Sequence, residues 1–526
     1  MPKNLQQASR EQEWKPRFSP WLIAFSVMLA TFMEVLDTSI ASVTLPHIAG
    51  SLSASTSEAT WVLTTYLVAN AVVLPSSSWF SLRFGRKSFL LLCIIVFTIS
   101  SFLCGAATSL SWILIARTVQ GASGGALQPL SQAILLESFP PEKRGAAMAI
   151  FALGVVVAPV LGPTLGGWLT DQYSWRWAFY INVPVGLVAV LLISRFVEDP
   201  PYISAAKPGR IDAIGLGLLA VWLGALQIIL DKGQEDDWFG ALWIRWAVAI
   251  VIAGFIAFLV RQLVIRNPIV NLCVFKDRNF SFGCLLIALL GSVVYGLVTI
   301  LPLFYQTLMN YTASAAGIAV SPRGLGAIII MPVAAALSSR MDNRWLIAIG
   351  YSIIGVTAMW MGGLTLDISQ WSLTWPIIIS GIGTGLVFVT LSTLAMGTLP
   401  KEQIGNASGL YNLFRNIGGS IGISIVNTIV ARHSQLHRSE LSHNLNGGIW
   451  FQKTFSHIHT LMSVHALSTL STRRAFGVIQ QTLDQQATVY SYVDDLRYVA
   501  LLCFLSAPIV FFVKRVQIQP GAAGGH

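Results

Sequence analysis

Apolar runs of about 18–25 residues, each long enough to cross the hydrocarbon core of a bilayer as a helix, recur along the whole chain. Fourteen can be placed, at roughly 21–45, 58–80, 88–107, 111–136, 145–169, 177–197, 212–231, 241–264, 279–304, 313–337, 344–365, 374–397, 405–430 and 496–514. In lipid every backbone polar group must be satisfied internally, which leaves helices and closed barrels. Runs this long and continuous specify helices, so the expected fold class is an all-α polytopic membrane protein. Composition agrees, since 11% of the residues are charged where a soluble domain carries about 25%. A large soluble enzyme is excluded.

Lys and Arg set the expected orientation. Arg83, Arg86 and Lys87; Lys143 and Arg144; Arg195, Lys207 and Arg210; Arg261, Arg266, Lys276 and Arg278; Arg340 and Arg344; and Lys401 follow even-numbered spans. Arg10, Lys15, Arg17, Lys514 and Arg515 lie in the tails. Odd-numbered loops are nearly bare, so the positive-inside rule places both termini in the cytoplasm. The net charge of +10 is spread among these loops, which is a topology signal and not a nucleic-acid footprint. The five cysteines lack metal spacing and read as buried small hydrophobes. One connection, Ala431–Asp495, is long; its Ser- and His-rich first part reads as an exposed loop. Arg474 to Leu496 is compatible with a helix continuous with span fourteen.

A weak repeat organises the spans. Arg83–Lys87 follows span two, and a similar basic turn, Arg340–Arg344, follows span ten. Gly-rich span five has a counterpart in span thirteen, with Gly418, Gly419 and Gly422. An offset of eight gives a tail at 1–20, a six-helix bundle at 21–200 and an inserted helix pair at 212–266. A second bundle follows at 278–514, carrying a long outer loop at 431–495, and a cytoplasmic tail ends the chain at 515–526. Parallel halves around a central site are a transporter architecture.

The chemistry is expected inside the spans. Glu34 and Asp37 lie three residues apart in span one, on one helical face. A carboxylate at bilayer depth costs on the order of 3 kcal/mol on insertion scales, so the pair must line a protein interior or a wet cavity. Asp37 is expected to be the main proton or substrate carboxylate, with Glu34 helping or merely pairing with a neighbouring helix. Arg117 in span four needs a carboxylate or backbone carbonyls, with Asp37 or Glu34 as partner, unless it snorkels to the outer interface. Thr38, Gln120, Tyr305, Gln306, Arg323 and Arg415 are candidates to line a cavity. Gly154, Ala158, Gly162 and Gly166 recur every four residues, next to Pro159, Pro163 and Gly167. That smooth, bent face suits either close packing in any bundle or a rocking interface between two bundles. Arg83, Gly85, Arg86 and Lys87 read as a cytoplasmic gate or a topogenic cluster. No phosphate loop, HExxH motif or GxSxG nucleophile elbow is found, which argues against an ATP-driven pump and a hydrolase. No cofactor is expected; a proton gradient would supply the power, at about 2.3 kcal/mol per charge per 100 mV.

Several stretches resemble the major facilitator superfamily, and within it the fourteen-span drug–proton antiporters of the EmrB/QacA type. They are Leu36–Ile40 with Leu45–Pro46, Leu114–Gly121, Gly154–Gly167, Trp175–Pro184, Pro322–Gly326 and Phe414–Ser420. The chain departs from that pattern at Leu82, where an acid is usual, and at Ser42, where Asn is common. The resemblance implies a proton-coupled exporter of amphipathic, hydrophobic or cationic compounds, working by alternating access in the inner membrane. On the EmrB-like branch it further implies a periplasmic adaptor and, through it, an outer-membrane channel. A dedicated exporter of an endogenous metabolite such as a siderophore is the nearest alternative, for which Arg117, Arg323 or Arg415 would bind an acidic substrate. A non-transporting receptor or scaffold is the alternative of another class.

Overall fold

A computed structural model describes residues 16–515 apart from 141–142, 202, 204–208, 210, 266–267, 364, 366–367, 444–448 and 464–467. Lys15, Lys207, Arg210 and Arg266 of the topology argument, and most of both tails, lie outside the described residues. The rest is helical, with no strand among the described residues. The helices are α1 (Pro20–Ser51), α2 (Thr56–Phe84), α3 (Arg86–Gly105), α4 (Leu110–Gly124), α5 (Leu127–Ser138), α6 (Arg144–Ala152), α7 (Ala158–Gln172), α8 (Trp177–Tyr180) and α9 (Asn182–Phe196). They continue as α10 (Ala213–Lys232), α11 (Leu242–Val264), α12 (Arg278–Thr307), α13 (Ala313–Val320), α14 (Pro322–Ser338), α15 (Asn343–Met361), α16 (Gln370–Met396), α17 (Lys401–His443), α18 (Ile449–Ser463) and α19 (Ser468–Ile509).

Thirteen rods among the described residues are long and apolar enough to cross a membrane. The expected fourth span is divided at Gly125–Ala126 into α4 and α5. With it the count is compatible with fourteen. The ends of the array meet even-numbered connections, as an even number of crossings requires. The Arg17 backbone N–H donates to Glu198 and that of Lys514 to Asn279. That end of the molecule is called inner below, and the opposite end outer. Exposed Trp21, Trp112, Trp168, Trp345 and Trp371 sit near rod ends, where indole rings favour the membrane interface. Cys273 is exposed, unlike the other four cysteines, because it lies in the polar connection before α12 and not in a span.

Close helix crossings repeat with the offset of eight. A Cβ on Gly162 would sit 2.3 Å from Ser39 Oγ on α1, and one on Gly418 of α17 would sit 2.0 Å from the Ala288 carbonyl on α12. These are spans five on one and thirteen on nine. Likewise a Cβ on Gly121 would meet the Tyr66 carbonyl at 2.2 Å, and one on Gly381 the Arg323 carbonyl at 2.0 Å. These are spans four on two and twelve on ten. Missing side chains let backbones approach where lipid supplies no hydrophobic drive.

The prolines of span five interrupt its hydrogen-bond ladder. A π-helical turn, Leu153–Val157, stands immediately before Pro159 and joins α6 to α7; such wide turns absorb a break in the hydrogen-bond ladder. Pro163 has no N–H for the Pro159 carbonyl, which instead accepts from Ser39 Oγ at 3.0 Å. The glycine face therefore packs on α1 within its own half, which is the close-packing reading and not the interface between bundles. Four-residue periodicity marks a smooth face without saying which neighbour it meets. The face that does meet the second half carries Val160 and Thr164, against Gly324 and Gly317.

The inserted pair is not peripheral to both bundles alike. α10 packs on α2 and on α17, and α11 packs mainly on α10. Gln227 and Ser420 share a 2.9 Å hydrogen bond, Asp231 accepts from Thr64, and Trp238 Nε1 donates to Thr428 at 3.2 Å. α10 thus fastens spans two and thirteen together near the outer side.

The expected outer loop is a second correction. α17 runs unbroken to His443, and α19 starts at Ser468 and continues into the last span. α18 packs against α19, with Phe455 and Phe476 rings 4.7 Å apart. The Ser- and His-rich segment is thus helical where described; polar residues hid the continuation because it needs no apolar run outside lipid.

Gly418→Ala should cost about 1–3 kcal/mol, the range for overpacking a tight contact. Gly217→Ala, whose added carbon meets nothing within 4 Å, serves as control. The expected outcome in detergent is a lowered unfolding midpoint for the first variant and none for the second; equal midpoints would refute the α12–α17 crossing.

Candidate functional site

Two buried polar clusters stand one turn apart on α1. In the first, Arg117 Nη1 donates to Asp37 Oδ2 at 2.6 Å, with both side chains wholly buried. Gln120 Nε2 and Asn182 Nδ2 donate to Asp37 Oδ1 at 2.9 and 2.7 Å. Ser101 Oγ accepts from the same two amides at 2.6 and 2.9 Å. Arg117 Nε donates to the Val62 carbonyl at 3.1 Å, and the guanidinium lies 4.4 Å from the Tyr66 ring centre. Five helices, α1, α2, α3, α4 and α9, thus meet on one ion pair. Arg117 does not snorkel.

In the second cluster, Glu34 is buried and accepts from neutral donors. Tyr66 Oη and Asn70 Nδ2 donate to Oε1 at 3.2 and 3.0 Å, and Gln128 Nε2 donates to Oε2. Gln128 Oε1 in turn accepts from Arg415 of the second half. Asn416 Nδ2 donates to Asn70 Oδ1 at 3.4 Å, and Asn412 Nδ2 to Gln132 Oε1 at 2.7 Å. The Glu34 cluster is therefore continuous with a row of amides that joins α17 to α2 and α5. Thr38 sits between the clusters, its hydroxyl bonded to the Glu34 carbonyl at 3.1 Å.

The halves also touch at both ends. A Cβ on Gly409 would lie 2.9 Å from the Leu74 carbonyl and one on Gly145 3.2 Å from that of Ala335, both near the inner side. Near the outer side, a Cβ on Gly317 would lie 2.7 Å from the Thr164 nitrogen. Between them a void of about 20 Å³ is lined by Val156, Pro159, Tyr295, Thr384, Phe388 and Arg415, room for about one water. Arg415 is buried, with Nε and Nη1 lacking a hydrogen-bond partner. Arg323 reaches Thr384 Oγ1 at 3.3 Å, and its Nη1 also lacks a partner.

Not every expected residue joins this centre. Tyr305 is buried against Tyr311, ring centres 5.3 Å apart, at the C-terminal end of α12, and Gln306 is exposed. Neither lines the void, because one residue of helix turns its neighbour by about 100° and the helix end lies outside the central layer. Arg83 is exposed, whereas Arg86 forms a buried ion pair with Glu137 on α5. Gly85 has φ +83°, and its chain turn is held by Asp199, which accepts from the Lys87 N–H at 2.9 Å. Glu137 and Asp199 thus bring carboxylates to the turn in which Leu82 replaces the usual acid. In the matching turn, Asp342 lies 2.8 Å from Arg344 Nη2. Hydrogen bonds from the Arg344 side chain, and from its backbone N–H, hold the Asp342 carboxyl below the usual range.

Sequence reasoning missed Tyr66, Asn70, Ser101, Gln128 and Asn182 as partners. Asn182 lies inside the Trp175–Pro184 stretch, which was the available signal. It also missed Asp495, treated as the end of a loop. Asp495 is fully buried on α19, and neither carboxyl oxygen has a hydrogen-bond partner.

The Major Facilitator Superfamily model matches residues 27–423. The chain is 36% identical over 499 residues to "Multidrug export protein EmrB" of Haemophilus influenzae, covering 94% of this chain and 95% of that protein. It is 35% identical over 522 residues to the Escherichia coli K12 protein of the same name, covering 98% and 99%. It is 34% identical to "Fatty acid resistance protein FarB" of Neisseria gonorrhoeae, covering 96% and 97%. Among solved structures, a double-tryptophan mutant of XylE is 13% identical with a TM-score of 0.61, covering 95% of this chain and 97% of that one. At that identity the likeness concerns the fold alone.

Removing one member of a buried ion pair costs about 3–5 kcal/mol, so Asp37→Asn alone should lower the unfolding midpoint sharply. Adding Arg117→Gln should restore part of the loss. If the two effects simply add in a double-mutant cycle, the side chains are not coupled as the 2.6 Å contact requires.

Proposed function

This chain belongs to the Major Facilitator Superfamily, and we propose that it is a multi-pass exporter of hydrophobic and amphipathic drugs, driven by proton antiport. Near full-length similarity to proteins named for multidrug export supports the cargo. The observation that carries the coupling mechanism is the difference between the two α1 carboxylates. Protonating Asp37 would strand the Arg117 guanidinium without its countercharge in a dry interior, at a cost of several kcal/mol. Protonating Glu34 breaks no direct ion pair, because its hydrogen-bond donors are neutral and the nearest cation, Arg415, is held one residue away through Gln128. In this reading Glu34 carries the exchangeable proton, and Asp37 with Arg117 positions it from the next turn.

Glu34 also touches the link between halves. A proton on Oε2 removes an acceptor from Gln128, whose other end holds Arg415. Loosening that link lets α17 part from α5, a step that alternating access around the central void needs. Arg415 at that void, and Arg323 bonded to Thr384 of its wall, add a second, narrower reading. Arg323 and Arg415 leave guanidinium nitrogens unpartnered, which suits acidic amphiphiles as cargo, whether drugs or an endogenous metabolite. One relative is named for fatty acid resistance.

The tripartite arrangement is part of the same proposal. The helices that continue beyond the outer end of the bundle, α17, α18 and α19, offer the surface on which a periplasmic adaptor would dock. An outer-membrane channel would be reached through that adaptor.

In proteoliposomes, Glu34→Gln should abolish uphill transport driven by a pH gradient while leaving counterflow exchange within about twofold of the unmodified protein. Retained gradient-driven transport would exclude Glu34 as the coupling acid. Replacing 449–463 by a short Gly-Ser linker should leave transport in proteoliposomes intact and remove both adaptor co-purification and drug resistance in cells. Survival of both would exclude α18 from the docking site.

A further inference from the structure

The outer ends of α17 and α19 face each other through a cluster that the transport reading does not use. His433 and His437 lie one turn apart on α17, so both rings project from one face. His433 Nδ1 and His437 Nε2 each lie 2.8 Å from the same oxygen, Oδ2 of Asp494 on α19. Among the described residues this is the one group of three or more His, Cys, Asp or Glu donors whose ligand atoms all fall within 4.8 Å of one another. We propose that it is a zinc site that staples the outer extension of α17 to that of α19.

Three features carry the proposal. The donor set, two imidazoles and a carboxylate, is one that zinc takes, with a fourth position left for water. The site is partly open, with side-chain exposures of 41%, 21% and 20% for His433, His437 and Asp494, so an ion and a water can reach it from the outer side. Ligand atoms at zinc–nitrogen and zinc–oxygen distances of about 2.0–2.1 Å lie about 3.4 Å apart in a tetrahedron. The two 2.8 Å contacts need open by only about half an ångström to admit the ion, a rotamer-scale adjustment.

The second feature is the orientation of His437. Its other nitrogen, Nδ1, lies 3.4 Å from Glu440 Oε2. Glu440 is thus near enough for a change of its rotamer to place a carboxylate behind a ligating imidazole, the arrangement that sets the tautomer and raises the basicity of the metal-facing nitrogen. The third is the division of Asp494. Arg497 Nη1 lies 3.3 Å from Oδ1, which leaves Oδ2 turned to the histidines. The Arg497 charge weighs against a cation nearby, but that side chain is 63% exposed and its field is screened by water and salt. The sequence hid the site because two donors are four residues apart and the third comes more than fifty residues later, beyond α18.

The test uses the full chain in detergent, stripped with a chelator and titrated with zinc chloride against a chromophoric competitor. The expected result is one equivalent bound tightly, with a raised unfolding midpoint, since a ligand selective for the folded state stabilises it. His433→Ala/His437→Ala should weaken that equivalent at least a hundredfold and cancel the midpoint shift. Glu440→Gln should weaken it 10–100-fold while leaving one equivalent, as loss of an outer carboxylate does. Cobalt substituted for zinc should give the visible absorption of a four-coordinate centre, which a hydrogen-bonded cluster without metal cannot produce. Asp494→Asn is the second variant should the double histidine variant fail to fold. No bound equivalent, or one that persists unchanged in the variants because histidines such as His443, His457 and His459 supply it, would overturn the proposal.

Discussion

The buried pair of Asp37 and Arg117 is the contact on which the first half of the molecule depends. Neither charge can be exposed to lipid, and neither tolerates loss of the other. Their remaining bonds go to Gln120, Asn182 and the Val62 carbonyl, so satisfying one ion pair brings side chains from α4 and α9 to α1 and aligns the backbone of α2. Buried pairs add little net stability compared with apolar packing, but they penalise every arrangement that separates them. Helices α1, α2, α4 and α9 therefore have strong reason to move as one body.

The link between halves is of another kind. Gln128, Gln132, Asn70, Asn412 and Asn416 are neutral amides, joined in pairs across the interface together with Arg415. A neutral hydrogen bond has a net worth of about 1 kcal/mol, so such contacts can be exchanged for water or cargo one at a time. The scaffold repeats between halves, as the glycine crossings show, while the charges do not. Acids lie on α1, and the second half presents buried Arg323 and Arg415. A twofold frame thus encloses a centre polarised from one half to the other.

Much of this was legible in the sequence, and the reasons differ by residue. Asp37, Glu34 and Arg117 stand out because a charge within an apolar run has no bland explanation. The neutral members of the network do not stand out, since single Asn, Gln and Tyr residues are ordinary in packed spans. The glycine stripe of span five showed that something approaches closely, but a helical period cannot name the partner, and α1 proved to be the partner instead of the second half. The segment after Ala431 was misread for a related reason. Apolar length is the signal for a helix in lipid; outside lipid a helix can be polar on most faces, and then its composition resembles a loop. Asp495 fell to the same error, because its burial comes from neighbouring helices and not from its own sequence context.

The unbroken run of α17 has a mechanical consequence. From Arg415, at the link between halves, to His443, at the described end of the helix, the chain is continuous α-helix. At 1.5 Å per residue that span is about 42 Å long. A tilt of ten degrees about Arg415 would swing the far tip by roughly 7 Å over that length. The same helix holds the amide contacts near its pivot and carries the tip well outside the bundle. It is geometrically a lever, able to turn a side-chain-sized event at the centre of the membrane into a displacement that another protein could feel.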